Sequence, residues 1–208
     1  MSSQTPNLDA LRDIRQIMDR SSRFISLSGW SGVVAGLSAL VGAFLAHQRI
    51  SRYYVESYGL PTACPSCLRN DLLWIAAVVF GVALAAAFLF TYRKSRQDGT
   101  PIWGASARRL LWNTLFPMAV GAVVILKMMD LKVYELVPAS SLIFYGLALL
   151  NGSKYTMGEV RYLGYGILIT GLVNLGYPEQ GIYFWAFGFG ILHILYGLAM
   201  WWKHEKKG

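Results

Sequence analysis

Six apolar segments, each long enough to cross a bilayer, divide this chain of 208 residues. A helical span needs roughly 20 mostly apolar residues at about 1.5 Å of rise each. The segments lie near residues 24–46, 71–92, 109–127, 133–151, 160–177 and 181–202. They predict an all-α, polytopic membrane protein, a six-helix transmembrane bundle forming one domain over 24–202. The fifth segment is short and rich in glycine, with Gly164, Gly166, Gly171 and Gly176. Residues 128–131 and 177–180 read as tight turns. Pro117 and Pro138 are expected to kink or start helices.

Charge sorts by side of these segments. Charged residues make up 14% of the chain, against roughly 25% in a soluble protein, and sit in the gaps between apolar runs. Of the 19 Lys and Arg, 14 fall in the N-terminal tail, the second and fourth connections and the C-terminal tail; the other face holds Arg49, Arg52, Arg69, Lys127 and Lys132. The positive-inside rule then places both termini in the cytoplasm. With a bacterial cell, the membrane is the cytoplasmic one and the 47–70 loop lies outside it. The net charge of +8 suggests nucleic acid, but the basic residues flank apolar runs, so anionic lipid headgroups are the expected partner. Trp74, Tyr92, Trp103, Trp112, Tyr183, Trp185, Trp201 and Trp202 read as an interfacial belt.

Residues 1–23 lack the pattern of a secretory signal. Leu8, Leu11, Ile14 and Met18 recur at helical spacing with charge on the other face, which predicts an amphipathic helix on the inner leaflet or the cytoplasmic face of the bundle. Residues 203–208 form a basic cytoplasmic tail. Small residues (Ser28, Gly32 and Gly36 at four-residue spacing in the first segment, with Gly81, Ala85 and Ala86 in the second and Gly188, Gly190 and Gly197 in the sixth) are expected to pack helices within the chain. A homo-oligomer or a membrane partner protein is the alternative use of such faces.

Cys64-Pro65-Ser66-Cys67, in the first outside loop beside Tyr53, Tyr54 and Tyr58, holds both cysteines of the chain. A haem attachment site needs a histidine after the second cysteine, and Leu68 stands there. Structural zinc wants four ligands, so no metal site is expected. Two uses remain: a disulfide that pins the loop, or a redox pair whose thiolate Arg69 would favour.

Polar residues at membrane depth are costly and mark function or internal bonding. His193 is the deep one, midway along the sixth segment. Asn113 and Asn174 lie nearer the ends of the third and fifth. His193 is expected to hydrogen-bond Asn113, a tyrosine or a serine, or else to line a polar pocket open to the cytoplasm with Asn113, Ser31 and Asn174. Gly29-Trp30-Ser31-Gly32 forms a Gly-x-Ser-Gly pattern that, with His193, would suit a serine nucleophile and its base. In the short cytoplasmic connection before the fifth segment, Lys154, Glu159 and Arg161 could anchor the span or form an anion or partner site.

Three blocks, residues 22–29 (SRFISLSG), 152–164 (GSKYTMGEVRYLG) and 184–193 (FWAFGFGILH), resemble a group of uncharacterised six-helix membrane proteins of Bacteroidota-type bacteria. That resemblance implies membrane location and a single domain, and no activity. No motif specifies a reaction or a cofactor. The leading expectation is a non-enzymatic bundle that binds a small molecule or partner in a sensing, accessory or transport role. The others are a membrane thiol–disulfide protein using Cys64 and Cys67, and an intramembrane serine hydrolase using Ser31 and His193.

Overall fold

Long apolar runs satisfy their backbone polar groups within themselves only as helices, and the chain folds accordingly. The structure, a computed structural model, describes residues 28–59, 64–97, 99 and 103–205. The proposed amphipathic helix at 1–23, the start of the first segment and the end of the basic tail lie outside the described residues. The described residues are all-α, with no strand among them.

The helices are α1 (Gly29–Gly59), α2 (Pro65–Gln97), α3 (Ala105–Asp130), α4 (Val137–Gly152) and α5 (Glu159–Leu175). A sixth helical stretch follows: α6 (Gly181–Trp185), a π-helical segment (Ala186–Ile191), α7 (Leu192–Met200) and a second π segment (Trp201–Glu205). Short 3₁₀ turns join α3 to α4, α4 to α5 and α5 to α6. Among the described residues, five stretches are long and apolar enough to cross a membrane: Gly29–Val55, Pro65–Gln97, Ala105–Asp130, Tyr134–Tyr155 and Pro178–Lys203. With 17 residues, α5 spans only about 25 Å.

The expected loop at 47–70 is a correction. Helix α1 runs through His47, Tyr53 and Tyr54 to Gly59, and α2 starts at Pro65. The apolar run ends near Ala46, but nothing from His47 to Ser57 stops a helix; Gly59 and Pro61 do. Pro65 suits a first-turn position, where its missing N–H costs nothing. Pro138 likewise opens α4, whereas Pro117 lies inside α3.

Packing proceeds helix to helix. α2 lies on α1, α1 on the sixth stretch, the sixth stretch on α5, α5 on α4, and α4 on α3. The flanking helices α2 and α3 bury 6% of their apolar windows, against 44% for α1. The centre of the core is Leu142, Leu163 and Ile167, with Phe184, Phe189 and Leu192 packed on it.

The small-residue faces of α1 and the sixth stretch meet as expected. A Cβ on Gly197 would lie 2.6 Å from the Gly29 carbonyl oxygen, so only glycine permits this backbone approach. On α2 the expectation fails in part. Ala86 is buried, but a Cβ on Gly81 would meet nothing within 4 Å. That glycine faces away from α1.

Candidate functional site

His193 is the second residue of α7, just after the π-helical segment, and is buried. Its Nδ1 lies 3.1 Å from the Gly188 carbonyl oxygen, five residues back. The widened π turn presents that oxygen; Leu192 N–H likewise reaches five residues back, to Phe187. A carbonyl oxygen only accepts, so Nδ1 carries the proton. In the neutral ring Nε2 then offers its lone pair, and the Tyr145 hydroxyl of α4 donates to it at 3.0 Å. Aromatic rings enclose the pair: the Phe189 centroid lies 5.1 Å from Tyr145 and 6.1 Å from His193, and Trp185 lies 4.8 Å from Phe189. The imidazole therefore fastens α4 to the sixth stretch and has no nitrogen left for a substrate.

The other expected members of this pocket lie apart from it. Ser31 donates its hydroxyl to the Ser28 carbonyl oxygen at 2.6 Å. Its helix does press on this region, since a Cβ on neighbouring Gly32 would lie 3.2 Å from the His193 carbonyl oxygen. The two side chains nevertheless form no nucleophile–base pair, because each is engaged elsewhere. Asn113 does not bond His193 either. Its amide donates to the Arg109 carbonyl oxygen, and its own carbonyl oxygen and Oδ1 accept from Asn151 of α4 at 2.8 Å and 3.3 Å. Asn174 is fully buried and donates to the Tyr177 carbonyl oxygen at 3.0 Å, bracing the corner between α5 and α6. Its Oδ1 has no partner among the described residues.

At the start of α5, Glu159 forms an ion pair with Lys203 from the last turn of the sixth stretch. A carboxylate in the first turn of a helix also meets a favourable dipole. Lys154 and Arg161 are exposed on either side of it. This connection ties two helix ends together.

Cys64 and Cys67 form a disulfide across the N-terminal turn of α2, with Cα atoms 5.2 Å apart. Cys64 Sγ accepts the Cys67 backbone N–H at 3.2 Å and lies 3.2 Å from the Ser66 hydroxyl. Pro65, Ser66 and Cys67 are exposed. One turn further on, Asp71 pairs with Arg49 of α1 at 3.5 Å.

One cavity is of a different character. A groove of about 500 Å³ runs between α1 and α2, lined by Leu37, Val41, Leu45, Trp74, Val78 and neighbours. Ser38 is the polar side chain in its wall, and its hydroxyl is spent on the Ala35 carbonyl oxygen at 2.8 Å.

Tyr145, Asn151 and Lys203 are the site residues that sequence patterns passed over. Tyr145 carried a signal, a hydroxyl in the middle of an apolar segment. Asn151 carried a relational one, through Pro117. Comparison with protein-family models, with curated proteins and with solved structures gives no match to this chain.

Proposed function

We propose that this chain is an integral membrane protein with a binding role, and that the groove between α1 and α2 receives an apolar chain, such as a lipid acyl chain. The observation that carries this reading is the groove itself: about 500 Å³ with an apolar wall whose single hydroxyl is internally bonded. That volume lies within the ordinary range of ligand sites, and its lining offers no recognition to a polar ligand. The engaged nitrogens of His193 and the engaged hydroxyl of Ser31 support a binding over a hydrolytic role.

The setting we propose is a bacterial cytoplasmic membrane, with both termini in the cytoplasm and Cys64 and Cys67 outside. The charge asymmetry supports it. Single cysteines introduced at Lys154 and at Arg52, in a Cys64→Ser/Cys67→Ser background, test the orientation. An impermeant maleimide applied to intact cells labels position 52 and spares 154; the reverse pattern overturns the topology.

A photoactivatable fatty acid tests the groove. Labelling is expected to concentrate on α1 and α2 residues of the wall and to fall several-fold in Val41→Trp, which fills the space. Equal labelling along the outer faces of α2 and α3, unchanged by that substitution, would mean ordinary bilayer contact and would sink the reading.

A further inference from the structure

We propose that the Cys64–Cys67 disulfide is a thiol–disulfide exchange site that accepts two electrons from a dithiol carried by another protein. The inference is separate from the groove and rests on the pair's own surroundings.

The disulfide lies on the first turn of a 33-residue helix that has no acidic residue in that turn. An anion there meets the unsatisfied N–H groups and the positive end of the helix dipole. The two sulfurs are not equivalent. Cys64 Sγ already accepts the Cys67 N–H and adjoins the Ser66 hydroxyl, so negative charge on it is hydrogen-bonded as soon as it forms. Cys67 is the exposed partner, open to an incoming thiolate. Asp71, one turn further along the helix, is paired with Arg49. Access and leaving-group stability therefore agree on one direction of attack.

The step balances as follows. A thiolate of the dithiol attacks Cys67 Sγ, the Cys64–Cys67 bond breaks, and Cys64 leaves as thiolate. The second thiol of the partner then attacks its own sulfur in the mixed disulfide and expels Cys67. The partner loses two electrons and two protons and gains a disulfide; Cys64 and Cys67 gain both and become thiols. A monothiol stops halfway, because the Cys64 thiolate, three residues from the mixed disulfide, re-forms the original bond. This asymmetry selects a dithiol over a small monothiol. The exposure of Pro65, Ser66 and Cys67 suits a protein segment as its carrier.

The test uses the full chain reconstituted in lipid vesicles, incubated with a synthetic dithiol peptide or with reduced glutathione at equal thiol concentration. Thiol alkylation and mass shift count reduced cysteines. The peptide is expected to reduce the pair and to be oxidised one for one, with glutathione at least tenfold less effective. In single-cysteine variants, Cys67→Ser (retaining Cys64) is expected to react with iodoacetamide at neutral pH about tenfold faster than Cys64→Ser. Ser66→Ala should narrow that ratio. Reduction only after the protein is unfolded would show a structural disulfide and overturn the proposal. So would equal reduction by glutathione, or faster alkylation of Cys67 than of Cys64. None of these outcomes bears on lipid labelling of the groove, so the two readings fail separately.

Discussion

The Asn151 side chain donates into the Asn113 carbonyl oxygen at 2.8 Å, and that carbonyl is the one Pro117 leaves without a helical partner. In an uninterrupted helix the N–H four residues ahead would fill it; proline has none. Asn151 therefore repairs, from α4, a break that Pro117 makes in α3.

This relationship predicts a coupled pair. Asn151→Leu should lower the unfolding free energy in mixed micelles by about 1–2 kcal/mol, the cost of leaving a half-buried acceptor unpaired. In a Pro117→Ala background the helix supplies its own donor, and the same substitution should cost about 1 kcal/mol less. A double-mutant cycle with no coupling would refute the repair.

Two glycines of similar sequence context should behave oppositely. Gly197→Ala places a methyl 2.6 Å from the Gly29 carbonyl oxygen and 2.7 Å from the Val33 nitrogen, both backbone atoms that cannot step aside. Overpacking of that kind costs about 1–3 kcal/mol. Gly81→Ala meets open space, and alanine is the better helix former, so stability should hold or rise by up to about 1 kcal/mol. Thermal unfolding of the two variants side by side gives the answer; similar losses would contradict the packing of α1 on the sixth stretch.

The contrast also marks how far the sequence can be read. Apolar runs place six helical stretches, because burial in an apolar medium allows the backbone few alternatives. Their ends are another matter. Hydropathy reports where the apolar run stops, near Ala46, while the helix goes on to Gly59 because only a breaker ends it. Gly197 and Gly81 each follow an aromatic residue and precede an aliphatic one and an alanine, and only the neighbour decides which one packs. The depth of His193 is legible from its place between apolar residues. Its partners are not, since Tyr145 lies 48 residues away and the Gly188 oxygen is presented by a π turn that no composition signals.

Lys132 is the non-glycine residue with positive φ among the described residues, at 61°. It follows α3, where its N–H bonds the Met129 oxygen and the Val133 N–H bonds the Met128 oxygen, closing the helix end. A left-handed lysine costs about 1–2 kcal/mol in steric strain, part of which glycine recovers after paying more backbone entropy. Lys132→Gly should therefore raise stability, by up to about 1 kcal/mol. Lys132→Val, with a β-branched side chain in the same conformation, should lower it. A destabilised glycine variant would show that the turn is not held left-handed.

The bond between Tyr145 and His193 is the tie between α4 and the sixth stretch, and its size should be modest. Hydrogen bonds between membrane helices average about 0.6 kcal/mol and reach about 1.7. Tyr145→Phe keeps the ring and its contact with Phe189 while removing the donor, so its cost should fall in that range. His193→Phe removes two bonds and strands the Tyr145 hydroxyl in a buried site, so it should cost more. If the bond is what couples the two, the cost of Tyr145→Phe should be largely lost once His193 is already phenylalanine. The tautomer gives an independent check. Nitrogen NMR of labelled histidine should find the neutral ring protonated at Nδ1, with Nε2 accepting. A proton on Nε2 would mean that the Gly188 carbonyl is not the partner, and that the π turn serves some other end.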